Sequence, residues 1–344
     1  MSHRLLDEEL QKRAESGPDQ DQDAKDFWHS YQSVKKYLEE NYYRWIQAQN
    51  PWFTEHGEPH ISAVIQSASA LLADYLREDA KKGLSTLDIY LLLAAVLWHD
   101  VGNVINRTGH AEKITQLTER IKELAFPTPA IYRLVVSIAQ AHSGPQGLNV
   151  TRSETNVHTP HKQYTVYPKA LAAIVRFADE ISENQTRVSA ALRKEVPPGN
   201  RIYWEYAYSI TSSAPNNARE RIVIEVEVDS ADAAERFECT EHPERTDGEG
   251  KLPLIEYILC RLEKMNNERA YCSPEFRRYV FIRQIDVRLT LLNGTTPKEG
   301  YEISITLGDF GLEGDSYPKI KMVDRFFEQH PDWKPEKIKE DSRK

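Results

Sequence analysis

Histidine and aspartate residues recur at the ends and on the apolar faces of several predicted helices. His99 and Asp100 close the most apolar helix of the chain, and His60 lies at the start of the helix before it. His142 and Asp179 continue the apolar stripes of two later helices. Burying an imidazole or a carboxylate costs on the order of several kcal/mol unless the group is paired or bound to a metal. These side chains would be unfavourable in one core unless they meet, and a divalent cation gives them a place to meet.

The sequence around these residues is predominantly helical. Residues 26–50 carry apolar and aromatic side chains at helical spacing, and Pro51 ends this helix. Residues 86–99 are apolar on all sides, which predicts a central and buried helix. Two further helices are predicted on either side of a polar segment, residues 143–167. Long loops inside a compact domain are usually functional or disordered, so this segment is interpreted as a loop that could act as a lid.

The sequence pattern changes after residues 197–199, which read Pro-Pro-Gly. Alternating apolar and polar residues predict strands over 201–211, 221–229, 281–292 and 301–308. A helix is predicted over 252–271, and an Asn-Gly pair at 293–294 indicates a turn between the last two strands. The order β-β-α-β-β is typical of a small α+β domain with an antiparallel sheet.

The order of the histidine and aspartate motifs resembles a known family. His60 is followed by WHDVG (98–102), AQAHSG (139–144) and RFADEIS (176–182). This set, over about residues 50–190, is similar to the HD superfamily of metal-dependent phosphohydrolases. The local string FTEHGEPHIS (53–62) resembles HD domains found in some bacterial conflict-system proteins. The resemblance implies an all-helical fold for this region.

The resemblance also implies a set of metal ligands. The implied core ligands are His60, His99, Asp100 and Asp179, and the implied ligands of a second ion are His110 and His142. Asp100 would bridge the two ions and orient a nucleophilic water. Mixed carboxylate and imidazole ligands do not select the metal, so the prediction is one or two divalent ions of Mn, Fe, Mg, Co, Ni or Zn. Such ions would lower the pKa of a bound water and polarise a phosphoryl oxygen.

Basic residues near these motifs are candidates for contacting a phosphate. Arg107, between the HD pair and His110, is the first choice, and Lys113 is the second. Arginine offers a planar fork to phosphate oxygens, and lysine offers a point charge. The remaining candidates are Arg152, Lys162, Arg176 and Arg187. The other histidines of the region are expected to be ordinary loop or first-turn residues: His56, His158 and His161.

We therefore predict a mainly α protein, in which a helical HD-type metal-binding domain precedes a smaller α+β domain with an antiparallel sheet. The predicted boundaries are an N-terminal helical arm over 1–50, an HD-type phosphohydrolase domain over 51–196, an α+β accessory domain over 197–326 and a charged tail over 327–344. The tail is assigned no fold.

The composition favours a globular protein with small partners. Lys plus Arg is 44 and Asp plus Glu is 53, so the net charge is 44 − 53 = −9, and 40% of the residues are hydrophobic. The acidic balance argues against binding duplex nucleic acid mainly by phosphate neutralisation. The longest apolar run, Ile89 to Trp98, is shorter than the ~20 residues of a membrane span. The N-terminus lacks a signal-peptide pattern, and the three cysteines form no CxxC pair, so a cytoplasmic, reducing compartment is expected.

Three functions are carried forward. The leading hypothesis is a metal-dependent phosphohydrolase that cleaves a phosphoester or phosphoanhydride bond of a nucleotide or another phosphorylated small molecule. The alternative is an HD nuclease acting on single-stranded DNA or RNA, for which RIYWEYAY (201–208) would supply stacking aromatics. The third is a non-catalytic nucleotide sensor or assembly module. The formation of a homo-oligomer is left open.

Overall fold

The computed structural model describes residues 4–16, 21–77, 83–144, 147–309 and 322–342. The chain divides into two compact units. The first unit comprises Met1–Pro51, Glu55–Ser182 and Cys272–Phe281, and the second comprises Trp52–Thr54, Glu183–Tyr271 and Ile282–Lys344. The domain boundaries expected from the sequence stay a prediction.

The first unit is mainly helical. Its helices are α1 (Leu6–Ser16), α2 (Gln22–Leu38), α3 (Arg44–Gln49), α4 (Glu58–Leu71), α5 (Ala73–Leu76), α6 (Thr86–Trp98), α7 (His110–Thr118), α8 (Lys122–Ala125), α9 (Pro129–Gln140) and α10 (Pro168–Ile181). A π-helical turn, Glu39–Tyr43, joins α2 to α3. The helix predicted over 26–50 is therefore confirmed, and it is interrupted only by this wider π-helical turn.

The apolar helix α6 is the core of the first unit. All of its residues are buried, as the all-round apolar sequence predicts. Its start is fixed by a capping box, in which the Ser85 hydroxyl and the Asp88 carboxylate each accept a hydrogen bond from the other residue's backbone N–H. In the described part of the chain, one segment, Thr86–Val104, is long and apolar enough to cross a membrane, but 94% of that window is buried inside the protein. A buried core helix meets the same criterion, so this is weak evidence for a span.

The polar segment 143–167 contains a hairpin rather than one long loop. Strands β1 (Thr155–His158) and β2 (Gln163–Val166) pair antiparallel. Asp23 of α2 accepts hydrogen bonds from the hydroxyls of Tyr164 and Thr159, both at 2.8 Å. A two-stranded hairpin is marginal alone, and these bonds to a buried carboxylate hold it on α2.

The second unit combines helices and short strands. Its elements are α11 (Pro198–Ser209), β3 (Ile210–Asn216), β4 (Arg221–Asp229), α12 (Ser230–Ala233), β5 (Arg236–Glu238), β6 (Lys251–Pro253), α13 (Leu254–Phe276), β7 (Gln284–Asn293), β8 (Thr296–Leu307), α14 (Met322–Gln329) and α15 (Pro335–Asp341). The last residues of α13 belong to the first unit. The predicted fold class, mainly α with a smaller α+β region, is confirmed.

The four-stranded sheet of the second unit is mixed. Its strand order is β3-β4-β7-β8, in which the outer pairs are antiparallel and the central pair β4–β7 is parallel. Parallel neighbours need a long crossover connection, and the chain between β4 and β7 contains the long helix α13. The antiparallel expectation is therefore right for the outer pairs and wrong for the central pair.

Two other expectations for the second unit differ from the structure. The strand predicted over 201–211 is wrong for most of its length, because these residues form helix α11, which begins at Pro198. The buried face of this helix includes Glu205, which forms ion pairs with Arg193 and Arg201. The charged tail, to which no fold was assigned, forms the end of α14 and all of α15. Trp333 of the tail packs edge-on against Tyr301, with ring centroids 5.5 Å apart.

Candidate metal centre

Each candidate ligand lies at or near a helix end in the first unit. Their positions are His60 in the first turn of α4, His99 and Asp100 directly after α6, His110 at the first residue of α7, His142 two residues after α9, and Asp179 in the last turn of α10. These helices pack on one another, and the ends that carry the candidate ligands converge. The structure thus brings all the predicted ligands together, and their roles as ligands stay a prediction.

The first group of ligands, which we call cluster 1, comprises His60, His99 and Asp179. Nε2 of His60 lies 3.3 Å from Nε2 of His99 and 3.2 Å from Oδ1 of Asp179. Nε2 of His99 lies 3.7 Å from the same aspartate oxygen. Both imidazoles are fully buried, whereas the Asp179 side chain is 27% exposed. Cluster 1 therefore offers two nitrogens and one oxygen to a common point, with its carboxylate on the accessible side.

The second group, cluster 2, comprises Asp100, His110 and His142. Oδ1 of Asp100 lies 3.3 Å from Nε2 of His110 and 3.7 Å from Nε2 of His142. The two histidine nitrogens are 2.8 Å apart. The His110 side chain is 14% exposed and that of His142 is buried. Cluster 2 is thus a second set of two nitrogens and one oxygen.

Asp100 joins the two clusters. While its Oδ1 faces cluster 2, its Oδ2 lies 3.5 Å from Nε2 of His60 and 3.4 Å from Nε2 of His99. A carboxylate has two oxygens with about four lone-pair sites, so one aspartate can serve two ions. This arrangement is compatible with the bridging role that the resemblance implies for Asp100, and that role stays a prediction.

Backbone carbonyls orient three of the imidazoles. Nδ1 of His99 donates to the backbone carbonyl of Val96 at 2.7 Å. In the same way, Nδ1 of His142 donates to Ala139 at 2.6 Å, and Nδ1 of His110 donates to Arg107 at 3.0 Å. A carbonyl can only accept, so each Nδ1 carries a proton and each ring directs its Nε2 at the centre, where that atom offers a lone pair when the ring is neutral. Lone pairs that face each other across 2.8 Å need a proton or a cation between them. The donor set, and the carbonyl partners behind it, therefore fit a divalent cation.

The electrostatics of the two clusters differ. Burial alone would lower the pKa of His99, but the carboxylates of Asp100 and Asp179 raise it to about 10. Burial, reinforced by the neighbouring His99 and His110, lowers the pKa of His142 to about 3. Burial opposes ionisation of both aspartates, yet the surrounding imidazoles hold the pKa of each well below its usual range. Both carboxylates are thus ionised at neutral pH and can each bind a cation.

Two glycines bring α7 close to Asp100. A Cβ on Gly102 would lie 1.9 Å from the carbonyl oxygen of His110, so no side chain fits there. Gly109 has φ = 67°, in the left-handed region that favours glycine, and it directly precedes the first residue of α7. These glycines let the chain leave Asp100, turn, and return with His110 beside it.

The predicted phosphate contacts have different surroundings. Arg107 is exposed, and its guanidinium lies 2.9 Å from Nε2 of the buried His56. Lys113 lies one turn after His110 on α7. Arg176 donates to the carbonyl of Ala141 at 3.3 Å, next to a candidate ligand.

Two of the other predicted phosphate contacts form ion pairs elsewhere. Lys162 is paired with Asp21 at 2.8 Å. The buried Arg187 is paired with Glu183 at 3.1 Å in the second unit. These two are therefore weaker candidates than Arg107.

Sequence reasoning missed two residues that support the centre. The Glu55 carboxylate accepts hydrogen bonds from the backbone N–H groups of Gly57 (2.6 Å) and His60 (2.8 Å), which satisfies the start of α4. Asn103 donates from Nδ2 to Oδ1 of Asp100 at 2.9 Å. An acidic residue just before a predicted helix, and an amide three residues after the HD pair, are the signals that could have found them.

Comparison with known proteins places these motifs in a family. The HD-CE family model matches residues 50–264, which is more than half of the chain and includes every candidate ligand. This match confirms the HD-type domain, and the resemblance to conflict-system proteins stays a prediction. No curated protein and no solved structure matches the chain. By its sequence and by the site that the family region contains, the chain belongs to the HD-CE family.

Proposed function

We propose that the protein is a metal-dependent phosphohydrolase that cleaves a phosphoester or phosphoanhydride bond of a nucleotide or another phosphorylated small molecule. The observation that carries the proposal is the Asp100 carboxylate, whose two oxygens face different histidine groups. The HD-type domain and the two clusters are compatible with a metal-dependent hydrolase. The bond cleaved and the nucleotide substrate are the proposed part.

The residues of the centre have separable roles in this proposal. When bound, divalent ions lower the pKa of a water molecule and polarise a phosphoryl oxygen. Asp100 serves both clusters at once, and the carbonyl-held imidazoles keep their Nε2 atoms directed at the centre. Asp179 and His110 are the ligands with exposed surface, so the phosphate is proposed to approach from their side.

Arg107 is the proposed phosphate contact outside the ligand set. Its backbone carbonyl accepts from Nδ1 of His110, so the residue is anchored to cluster 2. Its guanidinium is held by His56, and a guanidinium presents a planar fork that matches phosphate oxygens. The net charge of −9 favours a small phosphorylated substrate over a long polyanion. Of the four rings in 201–208, Trp204 and Tyr206 are buried and only Tyr203 and Tyr208 are partly exposed, which leaves few rings for stacking in the single-strand nuclease alternative.

The proposal is tested with the full chain and a panel of nucleotides. Nucleoside mono-, di- and triphosphates, cyclic nucleotides and a labelled oligonucleotide are incubated with Mn²⁺, Mg²⁺, Co²⁺ or Ni²⁺, and products are separated by chromatography. Asp100→Ala is the inactive variant. Asp74→Ala is the matched control, because Asp74 is an exposed carboxylate on α5.

Each outcome has a defined meaning. Turnover of a nucleotide by the wild type and by Asp74→Ala, but not by Asp100→Ala, supports the proposal. Turnover of the oligonucleotide alone replaces it with the nuclease. Metal-dependent binding of a nucleotide with no turnover above Asp100→Ala overturns it in favour of a sensor.

A further inference from the structure

Asn103 is a buried amide beside the candidate metal centre. It is 1% exposed and lies in a 3-10 turn, Val101–Val104, directly after Asp100. Its backbone N–H donates to the Asp100 carbonyl at 3.0 Å. The backbone of this turn thus places the Asn103 side chain on the same side as the Asp100 carboxylate.

The side chain of Asn103 contacts only one oxygen of that carboxylate. Its Nδ2 donates to Oδ1 of Asp100 at 2.9 Å. An ionised carboxylate cannot donate, so the amide must present its NH₂ group to Asp100. Oδ1 of Asn103 is buried and has no hydrogen-bond partner among the described residues. A buried amide oxygen without a partner is unfavourable. This oxygen belongs to the same amide group whose Nδ2 contacts Oδ1 of Asp100.

The contacted oxygen is the one that faces cluster 2. The terminal torsion of an aspartate is soft, so the carboxylate needs a restraint to keep one oxygen on each cluster. The Asn103 bond supplies that restraint at Oδ1, and the oxygen keeps lone-pair capacity for an ion. We propose that Asn103 is a positioning residue that controls the capture of the second divalent ion at cluster 2. This inference rests on the proposed function, since it requires a two-ion centre.

The two clusters should depend on Asn103 to different extents. Cluster 1 has its own carboxylate, Asp179, in contact with His60 and His99. Cluster 2 has only Asp100 as its carboxylate among the described residues. Loss of a partner that orients a metal ligand typically weakens metal binding by about 10- to 100-fold. Loss of the Asn103 side chain should therefore weaken binding of the second ion by about 10- to 100-fold and change binding of the first ion by less than about threefold.

The test uses Mn²⁺ alone as the probe and needs no substrate. Mn²⁺ is titrated into the metal-free full chain by calorimetry, and electron paramagnetic resonance monitors the coupling of two neighbouring Mn²⁺ ions. Asn103→Leu keeps the approximate shape and removes the hydrogen bond, and Asn103→Ser retains a shorter donor. Asn106→Leu is the control, because Asn106 is an exposed amide of the same loop whose Oδ1 accepts from the backbone of Thr108.

The expected result is two bound ions in the wild type and in Asn106→Leu. In Asn103→Leu we expect one tight ion, a second ion weakened at least about tenfold and a diminished coupled signal, with partial recovery in Asn103→Ser. If Asn103→Leu does not fold, the test is made with Asn103→Ser alone. The inference is then overturned if Asn103→Ser binds the second ion as tightly as the wild type does. Two ions bound equally well by wild type and Asn103→Leu also overturn it and leave the proposed function intact. A wild type that binds no ion overturns both.

Discussion

The two clusters of the candidate metal centre are built from different kinds of backbone. Cluster 1 takes its fully buried imidazoles from α4 and from the end of the core helix α6, and its carboxylate from α10. Cluster 2 takes one histidine from the residue after a left-handed glycine and another from the turn after α9. Packed helices hold a ligand more rigidly than loop termini do. The difference indicates that cluster 1 is preformed, whereas cluster 2 depends on the loop that carries it.

The largest effects on kcat should come from two single substitutions, each of which removes one imidazole from one cluster. His99→Ala should abolish the cluster 1 ion and lower kcat by about 1000-fold, the equivalent of about 4 kcal/mol of lost charge stabilisation. His110→Ala should leave one bound ion per chain and lower kcat by about 100-fold. Elemental analysis and steady-state kinetics on a cleaved nucleotide would check both.

Folding must be controlled in this pair. Far-UV circular dichroism of the metal-free variants should match the wild type, since each substitution removes one side chain near a helix end. Retention of two ions per chain in either variant would contradict the assignment of that histidine as a metal ligand.

The second prediction breaks cluster 2 without touching a ligand. In Gly102→Ala the new methyl group would clash with the His110 backbone, so the start of α7 must move. We expect the second ion to bind about 30-fold more weakly, with the cluster 1 ion unchanged. Gly83→Ala is the matched control, because its nearest new contact would be the end of Arg13 at 3.8 Å. Calorimetric titration with Mn²⁺ measures both, and an unaltered second ion in Gly102→Ala would show that α7 is not essential for cluster 2.

Sequence reasoning succeeded where helical periodicity and a buried polar residue point to the same place. His142 and Asp179 continue strong apolar stripes, so their convergence with the other candidate ligands could be predicted. The contact between Gly102 and His110 could not, because it depends on a turn whose geometry no periodicity encodes. The same limit explains α11, where aromatic alternation over 201–208 fits both a strand and one face of a helix.

The parallel strand pair also lay outside what the sequence could show. The strands β4 and β7 were located correctly, but alternation gives no strand direction. The long connection that contains α13 allows β4 and β7 to run parallel, and the helix itself extends to Phe276, beyond the predicted end at 271.

The third prediction compares the protons that the two clusters release. The pKa of His99 is raised to about 10, because Asp100 and Asp179 outweigh burial, so at neutral pH an entering ion must displace a proton. The pKa of His142 is lowered to about 3 by burial, so this residue already has a free lone pair. Metal affinity of cluster 1 should therefore rise about tenfold per pH unit between about pH 6 and 8.

Cluster 1 can be titrated alone in His110→Ala. Calorimetry with Mn²⁺ in two buffers of different ionisation enthalpy counts the protons released. Release of about one proton is expected. Binding with no proton release, and with an affinity that does not change with pH, would contradict the assignment of the proton to His99.

The smallest effect is expected outside both clusters. Arg107 is joined to cluster 2 through its carbonyl and to His56 through its guanidinium, so its loss should weaken substrate binding and leave the ions in place. In Arg107→Ala, KM for the cleaved nucleotide should rise about tenfold, or about 1.4 kcal/mol, with metal content unchanged. His56→Phe should raise KM less, because it removes only the partner that orients the guanidinium. If instead Arg107→Ala lowers metal content and leaves KM unchanged, Arg107 supports the backbone of cluster 2 rather than the phosphate.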